Sequence, residues 1–139
     1  MTYNNYIDST GARYCDYIDR TGTHFWYRND KLHREDGPAI EYVSGVGYWY
    51  RNGMLHREDG PAAFRPDHSR IWYHNGLIHR ADGPAIEFVD GGTEWWYKNL
   101  PHRTDGPALD YADGTKKWYL HGEEVGKFEH WVMTNKVKE

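Results

Sequence analysis

Four histidines stand in one column, His33, His56, His79 and His102, each 23 residues from the next. Imidazole is the commonest metal ligand and the usual proton carrier near neutral pH. If each period supplies two β-strands, successive histidines lie about 10 Å apart. Ligands on one zinc ion sit ~2.0–2.1 Å from it. The column is therefore predicted to share no ion, and the single cysteine, Cys15, adds nothing to a ligand set. No metal site is expected.

An arginine follows each histidine (Arg34, Arg57, Arg80, Arg103), and an aspartate stands two residues further on (Asp36, Asp59, Asp82, Asp105). A row of guanidinium forks could clamp phosphates. Matched with aspartates, the row reads instead as a repeated ion pair or turn cap, since Asp at a turn accepts from the backbone two residues on. On that reading, removing an aspartate should cost ~1–2 kcal/mol. Nucleophilic catalysis has little support: Ser9, Ser44 and Ser69 do not recur beside the histidines. Adjacent carboxylates such as Glu35-Asp36 belong to the repeat, and a repeated site has no single catalytic centre. The expectation is a protein with no enzymatic activity and no cofactor.

These columns belong to one pattern. His-Arg-x-Asp-Gly-Pro-Ala occurs four times, beginning at His33, His56, His79 and His102. Trp-Tyr precedes each block at 26–27, 49–50, 72–73 and 96–97, and a fifth pair, Trp118-Tyr119, opens a unit without its block. Tyr48-Trp49-Tyr50-Arg51 is β-prone, and Asn52-Gly53 suits a two-residue hairpin turn. Pro61 then lacks an N–H and breaks the ladder. Asp90-Gly91-Gly92 and Asp113-Gly114 supply a second turn per unit. Tyr6–Gly11 is echoed by Tyr17–Gly22 at half a period, which marks residues 1–22 as degenerate hairpins. The fold predicted is all-β: an antiparallel sheet of β-hairpin repeats, possibly curled, forming one domain over 1–139. Repeats fill 23–122 and a short helical cap fills 123–139, with Phe128, Trp131 and Val132 on one helical face.

Composition sets limits. A mean hydropathy of −0.98 is low for a folded chain, but seven Trp, 12 Tyr and four Phe supply apolar area that the sparse aliphatics do not. Net charge is −4 and pI about 6.1, which excludes the basic footprint of a duplex-DNA binder. No apolar run approaches the ~20 residues that span a bilayer. With one cysteine and no leader-like start, a cytoplasmic location is expected, the bacterial host cytosol if phage-encoded. The oligomeric state is left open.

Trp and Tyr neighbours in a strand face opposite ways. One column is predicted to form the core and the other an outer row, unless curling buries both; Tyr50, Tyr73 and Tyr97 are candidate binding rings. A single-site ligand must use residues that occur once. Arg65, His68 and Arg70 stand in an irregular loop where sibling units have a glycine turn, and His74 next to it replaces the Arg or Lys of that position. Unit four carries Asn99 in a segment taken as one residue short, with Trp95 as a gain, and Lys116 and Lys117 are private to the last turn.

The HRxDGPA block, the ~23-residue unit and the aromatic and Asn-Gly steps resemble the MORN-like repeats. They are more similar still to YwqK-type antitoxin repeats and to the HRxDGPA repeat proteins of bacteriophages, over residues 22–122. The resemblance implies a hairpin repeat, a binding role and a phage origin. The function expected is counter-defence inhibition by binding a host protein. A sponge for a small anionic, cyclic nucleotide signal and an antitoxin-type partner of a toxin are the alternatives.

Overall fold

A computed structural model describes residues 2–135. Strands β1 (Thr2–Ile7), β2 (Arg13–Ile18) and β3 (His24–Arg28) form an antiparallel meander. The two echoed segments are its turns. Asp8 Oδ1 accepts from the backbone of Thr10 and Ala12, and Asp19 Oδ1 from that of Thr21 and Thr23. Gly11 and Gly22 close them at φ +86°, where a side chain would be strained.

Backbone contacts group the chain into two units. The first runs to Phe64 and takes in Tyr73–Gly76; the second holds Arg65–Trp72 and the described residues from Leu77 onward. In the first, the meander continues through Ile40–Glu41 to Gly47–Tyr48. In the second, Arg70–Ile71, Ile86–Glu87, Thr93–Glu94, Leu109–Asp110, Lys116–Leu120 and Glu123–Val125 are successive antiparallel neighbours. The all-β hairpin architecture with one short C-terminal helix, α1 (Lys127–Asn135), is therefore as expected.

The period divides between two kinds of hairpin. The ladders above flank the three-residue turns. The hairpins with two-residue turns stand off as two-stranded ribbons, Tyr50–Arg51 with Met54–Leu55 in the first unit and Trp96–Tyr97 with Leu100–Pro101 in the second. Asn52 and Gly53 have φ of 51° and 80°, as a type I′ turn requires. The tryptophan sits at the joint. Its N–H donates to the alanine of its own block (Trp49 to Ala62, 2.8 Å) and its carbonyl accepts from the histidine (His56 to Trp49, 2.9 Å).

Those bonds correct the register of the fourth unit. Trp95, not Trp96, donates to Ala108 and accepts from His102, so Trp95 is a repeat residue rather than a gain. Trp96 takes the tyrosine position, since its carbonyl accepts from Arg80 as Tyr50 does from Arg34 and Tyr73 from Arg57. Tyr97 thus leaves the column of Tyr50 and Tyr73, and the unit is not short: Lys98 and Asn99, φ 48° and 67°, make the type I′ turn without glycine. The cap is also shorter than expected. Glu123–Val125 pairs with Trp118–Leu120 across a His121-Gly122 turn, and the helix begins only at Lys127; residues 136–139 lie outside the described ones.

Neither aromatic column is the core. Trp26, Trp49, Trp72, Trp95, Tyr50 and Tyr73 are all half-buried. The closed positions are Ala39, Ala62, Ala85 and Ala108, each 0% exposed. Ile86 and Ile71, at 2% and 8% exposure, are buried as well.

The segment from Arg65 to Ser69 was expected to be irregular and is not. Arg65 N–H donates to Ser69 O and His68 N–H to Arg65 O, as Phe88 does to Gly92 and Gly91 to Phe88. His68 holds φ 68° where Gly91 and Gly114 hold 94° and 90°. A non-glycine residue in that region costs ~1–2 kcal/mol. His68→Gly should therefore stabilise by ~0.5–1 kcal/mol after glycine's greater unfolded-state entropy, raising Tm by ~2–4 °C. A calorimetric scan showing no rise or a fall would remove the strain assigned to this turn.

Candidate functional site

Each repeat arginine lies flat between two surfaces. Its Cζ stands over the tryptophan ring of its own unit, at 3.9 Å (Arg34–Trp26), 3.9 Å (Arg57–Trp49), 4.2 Å (Arg80–Trp72) and 4.1 Å (Arg103–Trp95). On the other side is the glycine of Asp-Gly-Pro-Ala. A Cβ built on Gly60, Gly83 or Gly106 would meet the Cζ at 2.9 Å, and one on Gly37 at 2.7 Å. Glycine is present because the guanidinium occupies the space of a side chain. Nη1 donates to the proline carbonyl of the block at 3.1–3.3 Å in all four units, and Nε donates to the aspartate at 2.8–3.1 Å.

The aspartate itself is open to water, with side chains 87%, 81%, 87% and 74% exposed in chain order. It is no buried acceptor, which removes the basis for the 1–2 kcal/mol expected of its loss. An exposed ion pair contributes little. Arg57 and Arg103 hold the Asp59 and Asp105 carboxyls below the usual carboxylate range.

The histidines are equally committed. Nδ1 of His33, His56, His79 and His102 accepts the backbone N–H of Asn52, Asn75, Lys98 and His121, at 2.9–3.1 Å. Nδ1 therefore carries no proton, and in the neutral ring the proton is on Nε2. In the first unit that proton is donated to Glu35 by His33 and to Glu58 by His56, each at 2.9 Å. Arg51 lies 3.6 Å from both glutamates.

His74 joins this row, its ring 4.6 Å from that of His56 and its Nε2 3.9 Å from Glu58. Candidate ligand atoms of His56, Glu58 and His74 fall within 4.8 Å of one another. A metal on a neutral imidazole needs the proton on the other nitrogen. Here Asn75 N–H already fills Nδ1 of His56, so ligation through Nε2 would break that bond. The group reads as a hydrogen-bonded row and not as a metal centre.

The residues that occur once are scattered. In the second unit, Arg65 faces the Phe88 ring at 5.3 Å, Arg70 pairs with Glu87 at 3.0 Å and His68 is exposed. Asn99 Oδ1 caps Ile78 N–H at 2.7 Å, Trp95 is roofed by Arg103, and Lys116 pairs with Asp110 at 2.7 Å, while Lys117 is exposed. Tyr97 is 44% exposed, beside Lys98. In the first unit, Tyr50 and Tyr73 are half-buried and His74 exposed.

A further surface lies on α1. Phe128, Trp131 and Val132 share a face, but it is turned to solvent, at 77%, 61% and 38% exposure, with Met133 at 51%. The helix docks through His130, which is 4% exposed and donates from Nε2 to Arg103 O at 2.5 Å. Lys127 lies 5.8 Å from the Trp118 ring, taking the place of the arginine that the incomplete fifth unit lacks. The docking contact at His130 is polar. A cleft of about 420 Å³ runs between Asp105, Trp118 and the His130–Trp131 side of the helix.

Fold and site together define a hairpin-repeat protein whose repeated arginine and histidine side chains are engaged by partners within the chain. Compared with known protein families, curated proteins and solved structures, the chain matches none. Among the described residues, no helix is long and apolar enough to cross a membrane.

Burial, with His121 and His130 nearby, lowers the His102 pKa below its ordinary 6.5. Above pH 6.5 the ring is neutral folded or unfolded. As pH falls below 6.5, the unfolded chain takes the proton first, so stability is lost down to the folded-state pKa. Tm should therefore decline on acidification through this window, and the decline should be shallower in His102→Gln. Superimposable Tm–pH curves for the two proteins would contradict the assignment.

Proposed function

We propose that this chain is a non-catalytic binding protein whose partner is another protein, engaged through the outward face of α1. The observation that carries the proposal is the row Phe128, Trp131, Val132 on a helix anchored from its other side. Contiguous exposed rings on a short rigid element are the anchors of helix-in-groove recognition. The remainder of the surface argues for the same class: the repeated arginines and histidines that could do chemistry are held by tryptophan, carboxylate and backbone partners. The role is inhibition of a host protein in the manner of a phage counter-defence factor; that part rests on the likeness of the HRxDGPA blocks to phage repeat proteins. A nucleotide sponge would need convergent unpaired cations, and the four repeat arginines each carry an aspartate.

The test compares wild type with a Phe128→Ser/Trp131→Ser variant. The variant should keep its circular dichroism and Tm, because both rings are exposed, and should lose the protein captured from a bacterial lysate by at least tenfold. Calorimetry with cyclic nucleotides should show no binding. Retained capture, lost instead in an Arg65/His68/Arg70 triple variant, would move the site to that turn. Several nucleotides bound per chain would replace the proposal with the sponge.

A further inference from the structure

Strand β1 is an edge. Its neighbour on one side is β2, and among the described residues no strand pairs with its other side. Long open edges are normally blunted by Lys, Pro, a bulge or brevity. β1 has six residues, Thr-Tyr-Asn-Asn-Tyr-Ile, with no charge, no proline and an unbroken register against β2. Tyr3, Tyr6 and Ile7 are 55%, 59% and 68% exposed.

The bonding phase of this edge follows from its turn. Asp8 N–H donates to Ala12 O, so Asp8–Ala12 is a hydrogen-bonded pair. Pairs alternate along an antiparallel ladder. Tyr6–Tyr14 and Asn4–Asp16 are then hydrogen-bonded, and Tyr3, Asn5 and Ile7 direct their backbone groups outward. Any antiparallel partner must oppose its own outward residues to these three.

We propose that β1 is a self-association edge: two copies of this chain pair β1 to β1, antiparallel, about a two-fold axis through Asn5. The axis makes Asn5 face Asn5 of the second copy, Tyr3 face Ile7 and Asn4 face Tyr6. Centring on Asn4 instead would leave two hydrogen-bonded pairs where the Asn5 axis makes three. The Asn5 axis also matches an aromatic with a β-branched side chain, a favourable cross-strand pair, and extends the Tyr3–Tyr17 contact, centroids 5.5 Å apart, across the axis. No charges oppose each other. A second copy fits because such an interface must be self-complementary, and this strand is. The edge is about 20 Å long and buries less than the ~800 Å² per partner of stable complexes, so association is weak and rises with concentration.

Sedimentation velocity over a concentration series tests this. The wild-type mass should climb from one chain toward two. Asn5→Lys and Asn5→Glu, each placing like charges on the axis, should stay single-chain with unchanged Tm. An equimolar mixture of the two should associate again at low salt, because the axis now pairs Lys with Glu. The proposal is overturned by a wild-type mass that never exceeds one chain, by self-association of either variant at the wild-type level, or by a mixture that stays single-chain. Association lost in Phe128→Ser/Trp131→Ser and kept in Asn5→Lys would place the dimer contact on α1 instead.

Discussion

The constraint on which this fold depends is a guanidinium plane held between an indole ring and a glycine. It accounts for four of the invariant positions in the motif at once. Tryptophan supplies one face, and glycine vacates the other. Proline presents its carbonyl to Nη1, and aspartate takes Nε from the solvent side. A cation–π contact contributes about 0.5–1 kcal/mol when exposed and about 2 kcal/mol or more when desolvated, and its repetition gives a chain poor in Leu, Ile and Val a set of packed contacts. Alanine completes the block at four positions with no exposed surface.

The histidine column extends the same economy. Its ring takes the backbone N–H of the following ribbon's turn and, in the first unit, gives its other proton to a glutamate. Side chains that look like a catalytic or metal-binding inventory are therefore structural hydrogen-bond bridges. The two surfaces proposed for association lie where the pattern gives way: an apolar helix face over Phe128–Met133 and an uncharged strand edge at β1.

Much of this was legible in the residues. The 23-residue spacing, the Asn52-Gly53 turn and the Arg–Asp pairing are local, and local chemistry survives into the structure. The stack of arginine on tryptophan was not legible, because it joins residues eight apart across a ribbon whose bend the pattern does not announce. Trp95-Trp96 misled for a related reason: two adjacent indoles both satisfy a Trp-Tyr template, and the backbone bonds to Ala108 and His102 decide between them. Arg65–Ser69 looked irregular because His68 replaces glycine, yet the backbone conformation is set by the hairpin and overrides the residue's preference. On α1, apolar spacing gave a shared face but not its direction, and a single buried histidine marks the side that docks.

The most direct measurement compares thermal unfolding of Arg80→Lys and Asp82→Ala with wild type. Lysine keeps the charge but loses the plane that fills the gap between Trp72 and Gly83. The account predicts a loss of ~1–3 kcal/mol for Arg80→Lys and almost no change for Asp82→Ala, whose side chain is 87% exposed. Equal Tm values for Arg80→Lys and wild type, or a larger loss from Asp82→Ala than from Arg80→Lys, would contradict it.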